Sequence, residues 1–399
     1  MRIGLISAVR RTRDGALRAD LALAGRSVIA WQVALLHSLG VERVLCLTDG
    51  TASSALLPLQ HNVEASGGAF HVLKGFAALP ALVRAEDDLV IVADGLVPNP
   101  EVLRGLTGGV GALQRVVAAI PADHALAVDH PEDFERIDAA RHWAGVLVMR
   151  GAAVQHLADF PDDADAISVL LRLALQAGTP CSDLGLRELV PESWLLADSA
   201  DAVTLHQRSL IAGAAGAADW RAPMTALAAR LVRTLAPRGL EQGGVIAGGL
   251  ALVLLLGGVM AAAFGPPAAA LILAGVGAFA ARVSIDYSAL AARLRREDNR
   301  GRSGAVLAGA VDMLAALALW FALAPWPEWQ PLAVVGPLAI GLARLAACGS
   351  DTTLSMLASD RASLLLALAL PAAFGVLPEA LACLALGLLA ALLLRASPV

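Results

Sequence analysis

Lysine is almost missing from this chain. Of 30 basic residues only Lys74 is a lysine, so a compact, strongly hydrated ammonium has almost no source, and arginine is not a neutral replacement for it. A basic surplus is missing too. The formal charge is −5, which leaves no electrostatic footprint for nucleic acid and predicts no nucleic-acid partner. Cysteines are few: Cys46, Cys181, Cys348 and Cys383 stand far apart, with no C-x-x-C and no histidine at ligand spacing. That spacing speaks against zinc or a redox pair and for reduced, structural thiols. A long leading apolar run is also lacking, because the stretch 1–9 gives way at once to Arg10-Arg11-Thr12-Arg13, too soon for a signal peptide.

Charge itself becomes scarce beyond residue 242. Ala/Leu/Val/Gly runs dominate from Gly243 to Val399, and runs approaching 20 apolar residues read as membrane helices. Six spans are expected, at 244–264, 267–285, 304–324, 331–348, 362–376 and 379–395. The gaps alternate. Gly265-Pro266-Pro267, 324–330 and the stretch around Pro378 carry no Lys or Arg. On the other side fall Arg230, Arg233 and Arg238, then Arg293, Arg295, Arg296, Arg300 and Arg302, then Arg344, Arg361 and Arg395. The positive-inside rule puts that side in the cytoplasm, together with the N-terminal half and the C-terminus. The expectation is a multi-pass inner (cytoplasmic) membrane protein. It has three parts: a soluble domain at 1–212, an amphipathic juxtamembrane linker at 213–242 and a six-helix domain at 243–399.

The first 210 residues alternate short β-branched runs with amphipathic stretches. Strands are expected at 3–8, 43–47, 69–73, 89–93, 125–128 and 145–149, with helices including 27–39, 53–65 and 164–177. That alternation predicts an α/β sheet covered by helices, with ligands beyond the carboxyl ends of its strands. Three places there suit chemistry. The basic loop from Val9 to Gly15 is either a phosphate-binding element or a solvated turn. Asp94-Gly95 after the fourth strand offers a carboxylate for Mg²⁺, or is a plain turn. Asp198 is a second metal ligand or a helix N-cap.

Together these residues resemble the GT-A-like (Rossmann-like) nucleotidyltransferases. The stretch Ser7-Ala8-Val9-Arg10-Arg11-Thr12-Arg13 sits over that family's A-A-G-x-G-T-R loop, keeping Thr12 and Arg13. Ala24-Gly25-Arg26-Ser27 sits over its G-R-P stretch, and its lysine falls on Arg18. Asp94 matches its metal-binding aspartate, and Asp198-Ser199-Ala200-Asp201 resembles its later D-T-P-E-D segment. Both loop glycines are replaced, and arginine side chains stand where backbone N–H groups would have to approach phosphate closely.

The second half resembles the CDP-alcohol phosphotransferases, and the pairing resembles bifunctional inositol-phosphate cytidylyltransferase/phosphodiester synthases. That family's signature is D-x-x-D-G-x-x-A-R, eight residues, then G-x-x-x-D-x-x-x-D. Anchored at Ala292-Arg293, the first acidic pair falls on Ile285 and Ser288, with Asp286 nearby but out of register. Two extra residues bring Gly304, Ala308 and Asp312 onto the second half. The resemblance implies Mg²⁺ or Mn²⁺ on Asp94, Asp198 and Asp286. It implies nucleotide or phosphate contacts from Thr12, Arg13, Arg18, Arg293 and Gly304, and Asp312 as catalytic base. It also implies CTP or a CDP-alcohol, a lipid or phospho-alcohol acceptor, and a homodimer. An aspartate this far into an apolar helix is expected to serve a function or to face a wet cavity paired with an arginine such as Arg293. Asp351 and Asp360 read as loop charges. The alternative is a catalytically inactive membrane scaffold or regulatory partner.

Overall fold

The computed structural model describes the chain apart from residues 51–52, 109–110, 112, 162–163, 186, 191–192, 215–218, 237–239, 296–301, 326–327, 329–331, 350–352 and 397–399. Arg238, Arg296, Arg300 and Asp351 therefore lie outside the described residues. The chain divides into two compact units, Met1–Ser209 and Leu210–Val399.

The first unit is a mixed α/β domain. Its strands are β1 (Arg2–Ala8), β2 (Ala22–Leu23), β3 (Arg26–Ser27), β4 (Arg43–Thr48), β5 (Ala69–Lys74), β6 (Asp88–Val92), β7 (Leu96–Pro98), β8 (Val116–Pro121), β9 (Arg141–Arg150), β10 (Cys181–Asp183) and β11 (Trp194–Leu196). Its helices are α1 (Val28–Ser38), α2 (Leu56–Ala65), α3 (Leu79–Leu82), α4 (Pro100–Thr107), α5 (Ala125–Asp129) and α6 (Ala166–Gln176), and α7 (Ala200–Ala214) begins here. Seven strands form one sheet in the order β10-β8-β9-β6-β1-β4-β5. β1 runs parallel to β4 and β6, while β9 is antiparallel to both its neighbours. Ile3, Leu5, Val44, Leu45, Val90 and Ile91 are wholly buried, as a sheet covered on both faces requires. The chain leaves β1 toward β4 and β5, then returns to the other side of β1 as β6. Such a reversal opens a crevice at the strands' carboxyl ends.

The expected strand at 125–128 is instead the helix α5, and the strand lies just before it at β8. Ala-Leu-Ala-Val consists mostly of helix formers, and the His124 ring caps it by accepting from Leu126 N–H at 3.2 Å. Val116 to Ile120 is a short apolar run stopped by Pro121, the pattern of a strand buried on both faces.

The second unit is all helical: α8 (Pro223–Leu235), α9 (Leu240–Phe264), α10 (Pro267–Arg295), α11 (Arg302–Ala322), α12 (Val335–Ala347), α13 (Thr353–Ser359), α14 (Arg361–Ala373) and α15 (Leu377–Ala396). Among the described residues four helices are long and apolar enough to cross a membrane, at Gln242–Phe264, Pro267–Leu294, Gly304–Ala322 and Leu377–Arg395; a fifth is counted if α13 and α14, bent by 75°, form one span. This is a multi-pass membrane architecture. The expected span at 331–348 is reduced to α12, whose 13 residues extend about 20 Å against a hydrocarbon core of about 30 Å. The stretch from Asp286 to Arg293, expected as a loop, is helical and continues α10.

Small residues let these helices approach closely, as apolar helices in lipid need. A Cβ on Gly277 of α10 would lie 2.9 Å from the Leu255 backbone nitrogen, and one on Gly258 of α9 would lie 3.0 Å from that of Ala274.

Candidate functional site

In the α/β unit, a cavity of about 420 Å³ opens where β1, β4 and β6 end. Gln32 of α1 is 1% exposed and donates to the carbonyls of Ala93 at 2.8 Å and Leu96 at 2.9 Å, fixing the turn that carries Asp94. That turn needs glycine next. Gly95 has φ +74°, and a Cβ there would stand 2.9 Å from the Arg18 Cδ.

Asp94 lines the cavity. Its Oδ2 accepts from the backbone N–H groups of Val9 at 2.7 Å and Arg10 at 2.8 Å, while its Oδ1 has no hydrogen-bond partner. Burial pushes the carboxyl up to about 6, against the lowering pull of those N–H groups and of Arg18 and Arg10. The rest of the basic loop is folded on itself. Thr12 N–H donates to Ala16 at 2.8 Å, Gly15 N–H to Thr12 at 2.9 Å and Arg18 N–H to Arg10 at 3.0 Å. These donors are therefore turned away from any phosphate.

Of the residues expected here, Asp94 lines the cavity, whereas Thr12, Arg13, Arg18 and Asp198 do not. Thr12 is buried with its Oγ1 unpartnered, and Arg13 is exposed. Arg18 is buried and donates to Asp133 Oδ1 at 2.8 Å. The β7–β11 register pairs Leu96 with Leu196, and Ala197 N–H donates to the Gly95 carbonyl at 2.8 Å, so Asp198 stands across from Asp94 in the backbone. Its carboxylate instead accepts from Ser199 Oγ at 3.1 Å and lies 3.9 Å from His130 Nε2. Asp198 is not the cap of α7; Ser199 is, accepting from Ala202 N–H at 3.2 Å. Sequence reading missed Asp133, Glu135, Trp143 and Asp165, all on the cavity wall. The acids around 132–135 carry no signal that separates them from a solvated charge run.

In the helical unit, a cavity of about 270 Å³ is lined by Arg282, Ile285, Asp312, Arg344, Cys348, Asp360 and Arg361, among others. Asp312 on α11 is the hub. Arg344 Nη1 donates to its Oδ2 at 2.5 Å, and Arg361 Nε donates to its Oδ1 at 2.6 Å. Arg293 is not on this wall, so the arginines that meet Asp312 come from α12 and α14 and not from α10. Asp286 pairs with Arg282 one turn earlier at 3.1 Å. Gly304 faces Ile285, whose Cγ2 would lie 3.8 Å from an added Cβ.

Asp360, expected as a loop charge, is 3% exposed. Its Oδ1 accepts from Ser363 N–H at 3.1 Å and its Oδ2 from Ser363 Oγ at 2.7 Å, capping α14; Oδ2 also takes Met224 N–H at 2.9 Å and Thr225 N–H at 3.3 Å. Those are the orphan donors of α8, which has no side-chain cap of its own. An aspartate immediately before an apolar helical run was the available signal.

Among the described residues no three His, Cys, Asp or Glu side chains gather, and Asp286 and Asp312 each already face arginine.

No protein-family model matches the chain, and no curated protein sequence does either. Among solved structures it is similar to the inositol-1-phosphate CTP transferase of T. maritima at 17% identity, over 46% of this chain and 85% of that one, with a TM-score of 0.34. It is also similar to a protein assigned as a glucose-1-phosphate thymidylyltransferase from Bacillus anthracis, solved with a sucrose, at 11% identity over 52% and 96% of the two chains, with a TM-score of 0.38. Neither likeness bears on which groups line the two cavities.

Proposed function

We propose that this chain is a membrane protein of phospholipid or phosphodiester head-group synthesis, binding a phosphate-bearing alcohol in the cavity around Asp312. One observation carries the reading: Asp312 aims Arg344 and Arg361 into a cavity that Arg282 also lines. Guanidinium groups held in place by a carboxylate are suited to phosphate oxygens, which they meet with charge-assisted, often paired hydrogen bonds.

The finer form of the reading is transfer of a phospho-alcohol from a CDP-alcohol to a lipid or phospho-alcohol acceptor. The acceptor oxygen would bond to the β-phosphorus as the bond to CMP breaks, CMP leaving with the electron pair and the hydroxyl proton passing to a base. Asp312 is the base that the resemblance supplies, and Mg²⁺ or Mn²⁺ its cofactor. Both Asp312 oxygens already accept from arginine, so this side chain orients the cations whatever else it does. The same reading includes a multi-pass topology in the inner membrane, with the N-terminal unit and C-terminus cytoplasmic. It also includes a homodimer and an α/β unit descended from a GT-A-like nucleotidyltransferase.

A second reading, an inactive scaffold or regulatory partner, is favoured by the lack of gathered metal-binding carboxylates among the described residues. A single pair of measurements separates the two. Full-length protein in nanodiscs is titrated with glycerol phosphate, and CMP release from a CDP-alcohol is followed with and without Mg²⁺ or Mn²⁺. Metal-dependent CMP release supports transfer. Glycerol phosphate binding without CMP release supports the inactive partner. Absence of both, unchanged in Arg344→Ala, overturns the proposal.

A further inference from the structure

The cavity of the α/β unit is lined by five acids and, among the described residues, one arginine. Two places on its wall present backbone N–H groups of the kind that hold a phosphate. Each is already filled by one of the chain's own carboxylates. The N–H groups of Val9 and Arg10, after β1, go to Asp94. Those of Ile167 and Ser168, at the start of α6, go to Asp165 Oδ1 at 3.0 and 3.4 Å. No anion can enter either place without displacing a carboxylate.

The charges on the wall agree. Asp94, Glu132, Asp133, Glu135 and Asp165 line the cavity, against Arg10 as its only lining cation among the described residues. Arg10 is turned to Glu132, its Nη1 3.8 Å from the carboxylate and its Nη2 donating to the carbonyl at 3.2 Å. Asp133 is matched by Arg18. That leaves Asp94, Glu135 and Asp165 without a described ion pair. Asp94 is 7% exposed and its Oδ1 has no hydrogen-bond partner. Arg10 and Arg18 act on this carboxyl through their charge, and the buried Oδ1 still calls for a hydrogen-bond donor. The flanking walls include Phe76 and Trp143, buried aromatic rings of the kind that favour organic cations.

We infer that this cavity binds a small organic ammonium ion and not a nucleotide triphosphate. An N–H-bearing ammonium offers only donors to a cavity that supplies acceptors, and a quaternary one offers its charge to the acids and the aromatic rings. A divalent metal would need several oxygens converging on one point, and no three such side chains gather among the described residues. The inference is independent of the reading given to the helical unit.

The test is calorimetric titration of the full-length protein in nanodiscs with choline chloride and with ethanolamine hydrochloride at low salt. Saturable binding is expected for at least one amine, weakened tenfold or more by Glu135→Gln combined with Asp165→Asn. Asparagine keeps the α6 cap and removes only the charge. Binding is also expected to weaken as pH falls through about 6, where Asp94 takes up a proton. That carboxyl is faced by Arg10 and Arg18, with the Cys46 thiol beside it and the acids Glu132, Asp133, Glu135 and Asp165 on the same cavity wall. If the double variant melts early, Glu135→Gln alone makes the comparison. The inference is overturned by no saturable binding of either amine, by affinity unchanged in the variants, or by CTP with Mg²⁺ displacing the amine.

Discussion

Arg361 donates from its Nε to Oδ1 of Asp312 at 2.6 Å, with the two side chains only 11% and 15% exposed. The second partner of Asp312, Arg344, is 52% exposed. Buried and exposed ion pairs differ sharply in what they contribute, because only the buried charge is stranded when its partner is removed.

Asp312→Ala is therefore expected to destabilise the helical unit by about 3 kcal/mol, since it leaves Arg361 buried and uncompensated. Arg344→Ala is expected to cost less than about 1 kcal/mol. Thermal unfolding of the two variants in one detergent measures the contrast, and equal losses would contradict the burial argument.

Asp360→Ala removes the caps of α14 and α8 at once, each worth about 1 kcal/mol. Asp360→Asn keeps one accepting oxygen, which in the place of Oδ2 serves Met224 and Thr225, and is expected to recover about half of that because its NH2 cannot accept from Ser363 N–H. Hydrogen exchange at the Met224 and Thr225 amides reports the α8 end directly. Exchange should accelerate in the alanine variant and stay slow in the asparagine one.

Asp94 gives the α/β unit a pH dependence of definite sign. Its carboxyl is raised to about 6 from an unfolded value of about 3.9, so the folded state holds its proton more tightly. Asp94's contribution is fully present below about 4 and is lost as pH rises through about 6, on the order of 2–3 kcal/mol. Asp94→Asn keeps an acceptor for Val9 and Arg10 and abolishes that slope. Subtracting the variant's denaturant stability from that of the unaltered chain across pH 4–8 isolates the difference, and a flat difference would refute it.

Gly277→Leu should disrupt the packing of α9 on α10, because even its Cβ would meet the Leu255 backbone. Gly257→Ala faces nothing within 4 Å and should be neutral or slightly stabilising through helix propensity. Melting temperatures of the pair decide it. Similar losses in both would mean that close approach is not what these glycines provide.

What the sequence disclosed follows the range of the forces involved. The windows at 3–8, 43–47, 69–73 and 89–93 are strands because short, mostly apolar runs bounded by turn residues are a local signal. The 125–128 window failed because a cap from one histidine and the helix preference of Ala and Leu decided four residues. Asp94 was legible as a carboxylate at a strand end. Its partners were not, because the N–H groups of Val9 and Arg10 have no letter in the sequence. The arginines of Asp312 lie 32 and 49 residues away, and proximity in the chain had favoured Arg293. Asp360 looked like a loop charge because half of its hydrogen bonds belong to a helix that precedes it by more than a hundred residues.

That last separation sets an order of assembly. Met224 N–H and its acceptor are 136 residues apart, and synthesis proceeds at roughly 5–20 residues per second. The start of α8 thus waits on the order of ten seconds after leaving the ribosome before the carboxylate that ties it down exists. During that interval α9, α10, α11 and α12 all emerge. The packing of α8 against α10 needs no residue beyond Arg295, so a chain halted before α14 would carry α8 in place with the N–H groups of Met224 and Thr225 uncapped.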